Sequence, residues 1–571
     1  MTTRLPVRSA SLLILAGLLL SACNDNDGKL PRLSAATTST RIASCASLAG
    51  FVFARTAITS STTVAAGAET LAGQPIAEHC LITGKMHERI SPVDGKTYAI
   101  GFEMRLPTVW NGRYFYQANG GIDGEVKAAL GLTSGGGPLT SALSQGFAVL
   151  SSDAGHSPAI PTFGLDPQAR LDYGYQAVAK LTPMARTLIL EAYNRRPDRS
   201  YFGGCSNGGR HALVAASRYA SDYDGFLIGA PGYNLPKAAV ASIGGAQLYA
   251  AIPGTDPADL ATAVTATERT TLANAILAQC DALDGLADGM VQDREACQAA
   301  FDLQVDIPTC SMGRDGSCLT TDQKSALGNI FSGIRTSSGQ RVYSAFPWDA
   351  GINASGVMFW EYFAPLNLDS GAVAMIFKTP PLVPSGNNIA NFDGPAFVYQ
   401  ASIDSLNSEI YTSNALYTES GMGFMTPPDP TRLDTLKNRG AKIIAYHGVS
   451  DAIFSFNDTK AWYEGLDSYH GGDAEAFARL YPVPGMGHCS GGPATDQFDL
   501  LTPLVAWVEQ GEAPERIIAA ARGSGNAGGV NTELPSGWSA TRNRPLCPYP
   551  QVARYQGSGS PERAANFSCE Q

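Results

Sequence analysis

Ser200-Tyr-Phe-Gly-Gly-Cys-Ser-Asn-Gly-Gly-Arg210 is the stretch on which the reading of this chain turns. Ser200 to Gly203 has strand character, and helical character begins near Gly208 and runs to Tyr219. Between them, Gly204-Cys-Ser-Asn-Gly208 spells G-x-S-x-G. That spacing suits a sharp strand-to-helix turn that lifts a serine hydroxyl above a sheet, where side chains flanking the serine would clash. A glycine-rich loop at a helix start is the plainer reading. The strand before and the helix after favour the nucleophile turn, with Ser206 at its apex.

The surroundings extend the pattern. Tyr98 to Arg105, Arg113 to Gln117, Phe147 to Ser151 and Gly225 to Gly229 read as strands, and Leu171 to Asn194 carries helical spacing. Strands alternating with helices over residues 41–235 predict a parallel sheet covered on both faces. Residues 236–432 change character, with four cysteines, an acidic glycine-rich loop and many aromatics. Strand patterns resume at Ala441 to Tyr446 and Ala478 to Val483, so residues 433–571 complete the first domain and the middle is an insertion. A chain of 571 residues exceeds one core of about 250–300, which agrees with this division.

A serine nucleophile needs a base and an acid, and in this kind of fold they follow it in the order acid, histidine. Three of the seven histidines lie after the insertion. His470 precedes Gly-Gly in a polar stretch and reads as surface loop. His488 follows a strand in Pro484-Gly-Met-Gly-His-Cys489 and is the expected base, against the alternative of an ordinary loop histidine. Asp451, at the end of His447-Gly-Val-Ser-Asp451, is the expected acid. An Asx turn is the bland alternative there, and Asp458 is a rival acid. His447 is left open between an orienting and a pocket role.

Net charge is −11 with no long basic run, which argues against nucleic acid. Residues 1–22 read as a signal peptide, with Arg4 and Arg8 before the apolar run Ser11 to Leu20. That run is too short to span a membrane. Leu20-Ser-Ala-Cys23 resembles a lipobox, so Cys23 is the expected lipidation site and the only membrane attachment. Residues 23–40 read as a flexible tether. The protein is expected to be exported, as an outer-membrane or periplasmic lipoprotein or a secreted enzyme.

Ten cysteines remain beside Cys23. Sequence does not fix their pairing, but proximity suggests Cys280 with Cys297, Cys310 with Cys318, Cys547 with Cys569, and then Cys45 with Cys80. Cys205 and Cys489 are left, one beside Ser206 and the other beside His488. A bridge there would clamp the nucleophile to the base. Two buried free thiols are the alternative.

The arrangement Cys-Ser, Asp, His-Cys resembles the tannase and feruloyl esterase family. Gly203-Gly-Cys-Ser-Asn-Gly-Gly-Arg210, Tyr223-Asp-Gly-Phe-Leu-Ile-Gly-Ala-Pro-Gly232 and Gly485-Met-Gly-His-Cys-Ser-Gly-Gly492 carry the likeness. It runs from about Cys45 to the C-terminus and is weakest near residues 350–430. It implies an α/β-hydrolase fold whose large insertion is a lid domain, and the same five disulfides. By motif position it also implies an oxyanion hole from the backbone N–H groups of Gly121 and Asn207. In Cys280-Asp-Ala-Leu-Asp-Gly-Leu-Ala-Asp-Gly289, three carboxylates within eight residues leave open a solvated turn or a calcium loop. The resemblance favours structural Ca²⁺, held by the side chains of Asp281, Asp284 and Asp288 and the carbonyls of Leu286 and Met290. No organic cofactor is expected, since dinucleotide and zinc spacings are not found in the sequence.

The family reading implies a serine carboxylesterase acting on a small aromatic ester as a monomer. Phe346, Trp348, Phe359, Trp360, Tyr362 and Phe363, with Phe377, could wall an aromatic pocket or form the insertion's own core. A substrate with a free carboxylate would favour an arginine clamp. Between Arg341 and Arg432 the sole cation is Lys378. Uncharged feruloyl or galloyl esters are therefore the expected substrates, with mono(2-hydroxyethyl) terephthalate as the alternative. A non-catalytic surface lipoprotein retaining the fold is the rival class.

Overall fold

A computed structural model describes residues 1–2, 30–37 and 39–571. The signal segment from residue 3, Cys23 and the tether as far as residue 29 lie outside the described residues.

Nine strands form the central sheet. In chain order they are β1 (Thr56–Val64), β2 (His79–Ile90), β3 (Thr97–Pro107), β4 (Arg113–Gln117), β5 (Ala148–Ser152), β6 (Arg199–Cys205), β7 (Gly225–Gly229), β8 (Lys442–Gly448) and β9 (Ala478–Val483). Their spatial order is β9-β8-β7-β6-β4-β5-β3-β2-β1. The run from β9 to β5 is parallel. The last three strands join antiparallel.

The two parts differ for a reason visible in the residues. Phe226, Leu227 and Ile228 of β7, like Ile443, Ile444 and Ala445 of β8, are fully buried. Such continuous apolar strands need helices on both faces. Those helices include α1 (Ala177–Tyr193), α2 (Asn207–Arg218), α4 (Phe456–Tyr469) and α5 (Leu501–Gln510), while α3 (Leu235–Ala250) opens the insertion. The outer end of β2 alternates between half-buried and exposed residues, as an antiparallel strand with one wet face should.

Residues 230–441 leave the sheet after β7 and return at β8, and among the described residues they add no strand to it. The helix expected over Leu171 to Asn194 is interrupted. Asp172–Gln176 forms a wider π-turn before α1, which closes on Asn194 in the left-handed conformation.

The tether expected to run to residue 40 is shorter than that. The Arg199 guanidinium donates to the Ser34 carbonyl (2.8 Å), the Ala36 N–H to Glu509 (2.8 Å) and the Thr37 N–H to Asp198 (2.9 Å). Thr40 and Arg41 then pair with Val109 and Trp110. These backbone groups find partners on the domain, so the segment is docked before residue 40. Among the described residues no helix is long and apolar enough to cross a membrane.

Five disulfides join the ten cysteines as proximity suggested, and the remaining pair is Cys205–Cys489. Such a count belongs to a protein folded in an oxidising compartment.

The insertion also buries charge. Asp369 receives one hydrogen bond, from the Ser242 hydroxyl (2.7 Å), and burial pushes its carboxyl up to about 6. A raised carboxyl pKa means the folded form holds the proton more tightly. Stability from this group is therefore lost as pH rises from about 4 to about 6. Asp369→Asn is expected to raise stability at pH 8 by about 2–3 kcal/mol and to flatten that part of the pH dependence. Urea midpoints at pH 4.5 and pH 8 measure both effects.

Candidate active site

Ser206 sits between β6 and α2 with φ 66° and ψ −129°. A side chain on serine makes that left-handed conformation costly, by about 1–3 kcal/mol. Glycines make the turn possible. A Cβ on Gly204 or on Gly208 would lie 2.5 Å from the Ala118 carbonyl. The turn is locked from both sides. The Ser206 N–H donates to the Gly229 carbonyl (3.0 Å), and its own carbonyl accepts the Arg210 N–H (3.0 Å).

The expected base His488 and the expected acid Asp451 come from loops after β9 and β8. His488 Nε2 lies 2.8 Å from Ser206 Oγ, and Nδ1 lies 2.7 Å from Asp451 Oδ2. The other Asp451 oxygen accepts the N–H groups of Ile453 (3.0 Å) and Phe454 (3.1 Å). Burial alone would raise the Asp451 pKa. The His488 charge and hydrogen bonds from His447 and His488 outweigh burial and hold the carboxyl well below the usual range. It is thus ionised wherever His488 can accept a proton.

Asp458 is bonded to the Asn234 side chain (3.0 Å) rather than to His488, and burial pushes its carboxyl up to about 6. His447 Nε2 lies 2.8 Å from the Phe454 carbonyl and 3.3 Å from Asp451, while Nδ1 meets the Thr459 hydroxyl (2.8 Å). It buttresses the acid from within the core. The Cys205–Cys489 bridge, with Cα atoms 6.1 Å apart, joins the end of β6 to the histidine loop immediately beside Ser206 and His488.

The loop carrying Gly121 passes beside the serine. A Cβ on Gly120 would lie 3.6 Å from Ser206 Cβ, and Gly121 has φ 64°. Asn119 anchors this loop through its amide on the Ser152 carbonyl (2.8 Å). The Asn207 side chain ties α2 to the same loop by donating to Asp123 (2.7 Å).

Of the aromatics singled out in the insertion, Trp360 reaches the site. Its ring stands edge-on to His488 at 5.1 Å. Trp348 stacks on Phe331 and Phe377 is fully buried, so these serve the insertion's core. Phe359 and Phe363 stack on each other and are exposed. Phe454 packs edge-on to His488 at 5.3 Å, a neighbour the aromatic count over the insertion could not find. Its place three residues after Asp451 was the available signal. Lys378 is paired with Glu409 (3.0 Å).

In the acidic loop, Asp281 accepts the N–H groups of Asp288 (3.0 Å), Gly289 (3.0 Å) and Met290 (3.2 Å). One oxygen of Asp284 and one of Asp288 are buried without a hydrogen-bond partner. The other Asp288 oxygen pairs with Arg544. Among the described residues no three His, Cys, Asp or Glu side chains already converge as a metal shell.

A serine on a strained strand-to-helix turn, met by a histidine and a carboxylate from later strands of a parallel sheet, defines an α/β-hydrolase. Residues 80–570 match the family model described as tannase and feruloyl esterase, and the chain belongs to that family. It is an ester hydrolase. It is 39% identical to mono(2-hydroxyethyl) terephthalate hydrolase of Piscinibacter sakaiensis, over 88% of this chain and 86% of that one. It is 28% identical to a probable feruloyl esterase B-1 of Neosartorya fischeri, over 80% and 81%. Crystal structures share the fold. Feruloyl esterase B from Aspergillus oryzae superposes with a TM-score of 0.71 at 23% identity, covering 92% of this chain and 99% of that one. Tannin acyl hydrolase from Aspergillus niger gives 0.65 at 18%, covering 94% and 96%.

Proposed function

We propose that this protein hydrolyses esters of aromatic carboxylic acids through an acyl-enzyme on Ser206. The observation that carries this reading is the unbroken chain from Ser206 Oγ through His488 to Asp451, at 2.8 and 2.7 Å. Ser206 Oγ attacks the ester carbonyl carbon while His488 Nε2 takes its proton. The Gly121 and Asn207 N–H groups receive the developing oxyanion, each contributing about 3–4 kcal/mol. The C–O bond breaks, and the alcohol departs with the proton from His488. Water then attacks the acyl carbon, giving its proton to His488, and the acid leaves as Ser206 is reprotonated. The site is complete within one chain, so a monomer suffices.

Trp360 and Phe454 supply apolar edges beside His488, suited to an aromatic acyl group. The insertion then serves as a lid. Between Arg341 and Arg432 it offers one cation, Lys378, already neutralised by Glu409. We therefore favour feruloyl or galloyl esters. The 39% identity to an enzyme named for mono(2-hydroxyethyl) terephthalate supports that monoester as a second reading. Methyl ferulate and methyl gallate are expected to exceed the terephthalate monoester in kcat/KM by about tenfold or more, the value of one charge-assisted contact. The opposite order in matched assays would move the assignment to the monoester.

The bare oxygens of Asp284 and Asp288 call for a cation, and we propose that the acidic loop holds structural Ca²⁺. Asp281, Asp284 and Asp288, with the carbonyls of Leu286 and Met290, would hold it. Bound calcium would neutralise the buried carboxylates and fasten the loop. Saturating Ca²⁺ is expected to raise stability over an EGTA-treated sample by about 2–3 kcal/mol, and Asp284→Asn to abolish the difference. Identical melting curves with Ca²⁺ and EGTA would reject the site. Lipidation at Cys23 is proposed from the lipobox, and a Cys23→Ser variant lost from the membrane fraction would agree with it.

A further inference from the structure

Asp349 belongs to the insertion and is 2% exposed, and the buried Arg294 guanidinium acts on it only at a distance, with no ion pair formed between them. Burying a carboxylate without a cation in contact costs several kcal/mol, which hydrogen bonds to it offset in part. One oxygen accepts two of them. The Ser450 hydroxyl donates to it, and so does the Gly485 N–H (2.8 Å). Ser450 directly precedes the acid Asp451, and Gly485 opens the loop that ends at the base His488. The Gly351 N–H adds a third link by donating to Ser450 Oγ (3.0 Å). This approach is close. A Cβ on Gly351 would lie 2.4 Å from Ser450 Oγ and 2.6 Å from the Gly485 carbonyl.

A second carboxylate repeats the device at the far end of the histidine loop. Glu533 accepts the Gly492 N–H (2.7 Å) and the Ser355 N–H of the insertion. The histidine loop is therefore held at both ends, and the insertion takes part in each anchorage. Besides the His488–Asp451 contact itself, two backbone bonds link the acid and base loops, from the Ser450 N–H to the Met486 carbonyl (3.0 Å) and from the Val449 N–H to the Val483 carbonyl (3.0 Å).

We infer that Asp349 is a positioning residue that lets the insertion set the distance between Asp451 and His488. The inference rests on the Ser206–His488–Asp451 reading. Its consequence is that the catalytic geometry depends on the insertion being docked, so the insertion does more than cover the substrate. Asp349→Ala leaves the Ser450 hydroxyl and the Gly485 N–H without their acceptor, and both loops relax. Asp349→Asn keeps an oxygen in the same place and preserves both bonds.

The test is steady-state hydrolysis of p-nitrophenyl acetate, with kcat expressed per burst-titrated active site. Asp349→Ala is expected to lose about 10- to 100-fold in kcat with KM changed by less than about threefold, because misplacing a catalytic pair by an ångström costs that much. Asp349→Asn is expected to restore kcat to within about fivefold of wild type. Ser450→Ala, which removes the shared hydroxyl and leaves Asp349 the Gly485 N–H, is expected to lose about fivefold or more in kcat, and it decides the matter if Asp349→Ala does not fold. Asp349→Ala or Ser450→Ala at wild-type kcat would overturn the inference, as would Asp349→Asn falling as far as alanine. Ser206→Ala run alongside separates the two claims. If it keeps wild-type turnover, the triad reading itself fails and takes the inference with it. If it is inactive while Asp349→Ala keeps wild-type kcat, the inference alone is wrong.

Discussion

His488→Ala is expected to lower kcat on p-nitrophenyl acetate by about 10⁵- to 10⁶-fold, the loss seen when either nucleophile or base is removed from such a unit. The reason is geometric. His488 is the group that joins Ser206 Oγ at 2.8 Å to Asp451 at 2.7 Å, so its removal leaves the hydroxyl without a base. His447 cannot substitute, since both its ring nitrogens are engaged, with Thr459 and with the Phe454 carbonyl. KM should change little, because the proposed binding surface is the apolar edges of Trp360 and Phe454 rather than the imidazole. A loss of less than about 100-fold would mean that another base serves Ser206.

The second large effect concerns the clamp. Cys205→Ala combined with Cys489→Ala is expected to cost about 3–5 kcal/mol of stability, since the bridge closes a loop of 284 residues in the unfolded chain. The same pair should lose about tenfold or more in kcat, because each cysteine adjoins a member of the Ser206–His488 hydrogen bond. Urea unfolding and steady-state kinetics on the double variant read the two effects separately. Replacing Cys310 and Cys318, whose loop spans 8 residues, should lower the urea midpoint less and leave kcat unchanged. Equal losses from both replacements would show that the Cys205–Cys489 bridge has no special role in holding the site.

The legible parts of this protein were those where chemistry restricts the residue locally. A strained turn admits little beside glycine at Gly204 and Gly208, so Ser206 could be read directly. Asp451 and His488 follow strands whose apolar runs are themselves visible, and a histidine is scarce enough in this chain to stand out. The remainder depends on contacts between distant segments. Nothing in the text around Asp349 shows that its carboxylate meets Ser450 and Gly485. Phe454 could not be distinguished from core, and Asp458 remained a rival until its bond to Asn234 was seen. Residues 34–37 carry no apolar periodicity because side chains of Glu509, Asp198 and Arg199 hold their backbone, and that is why they read as tether.

The central claim is tested most directly by measuring hydrolysis of p-nitrophenyl acetate and methyl ferulate by the wild type and Ser206→Ala side by side. The wild type is expected to turn over both esters, and the variant to fall by about 10⁵- to 10⁶-fold. An inert wild type, or a variant that keeps its activity, would contradict it, and in the first case the chain would be a member of its family that retained the fold without the chemistry.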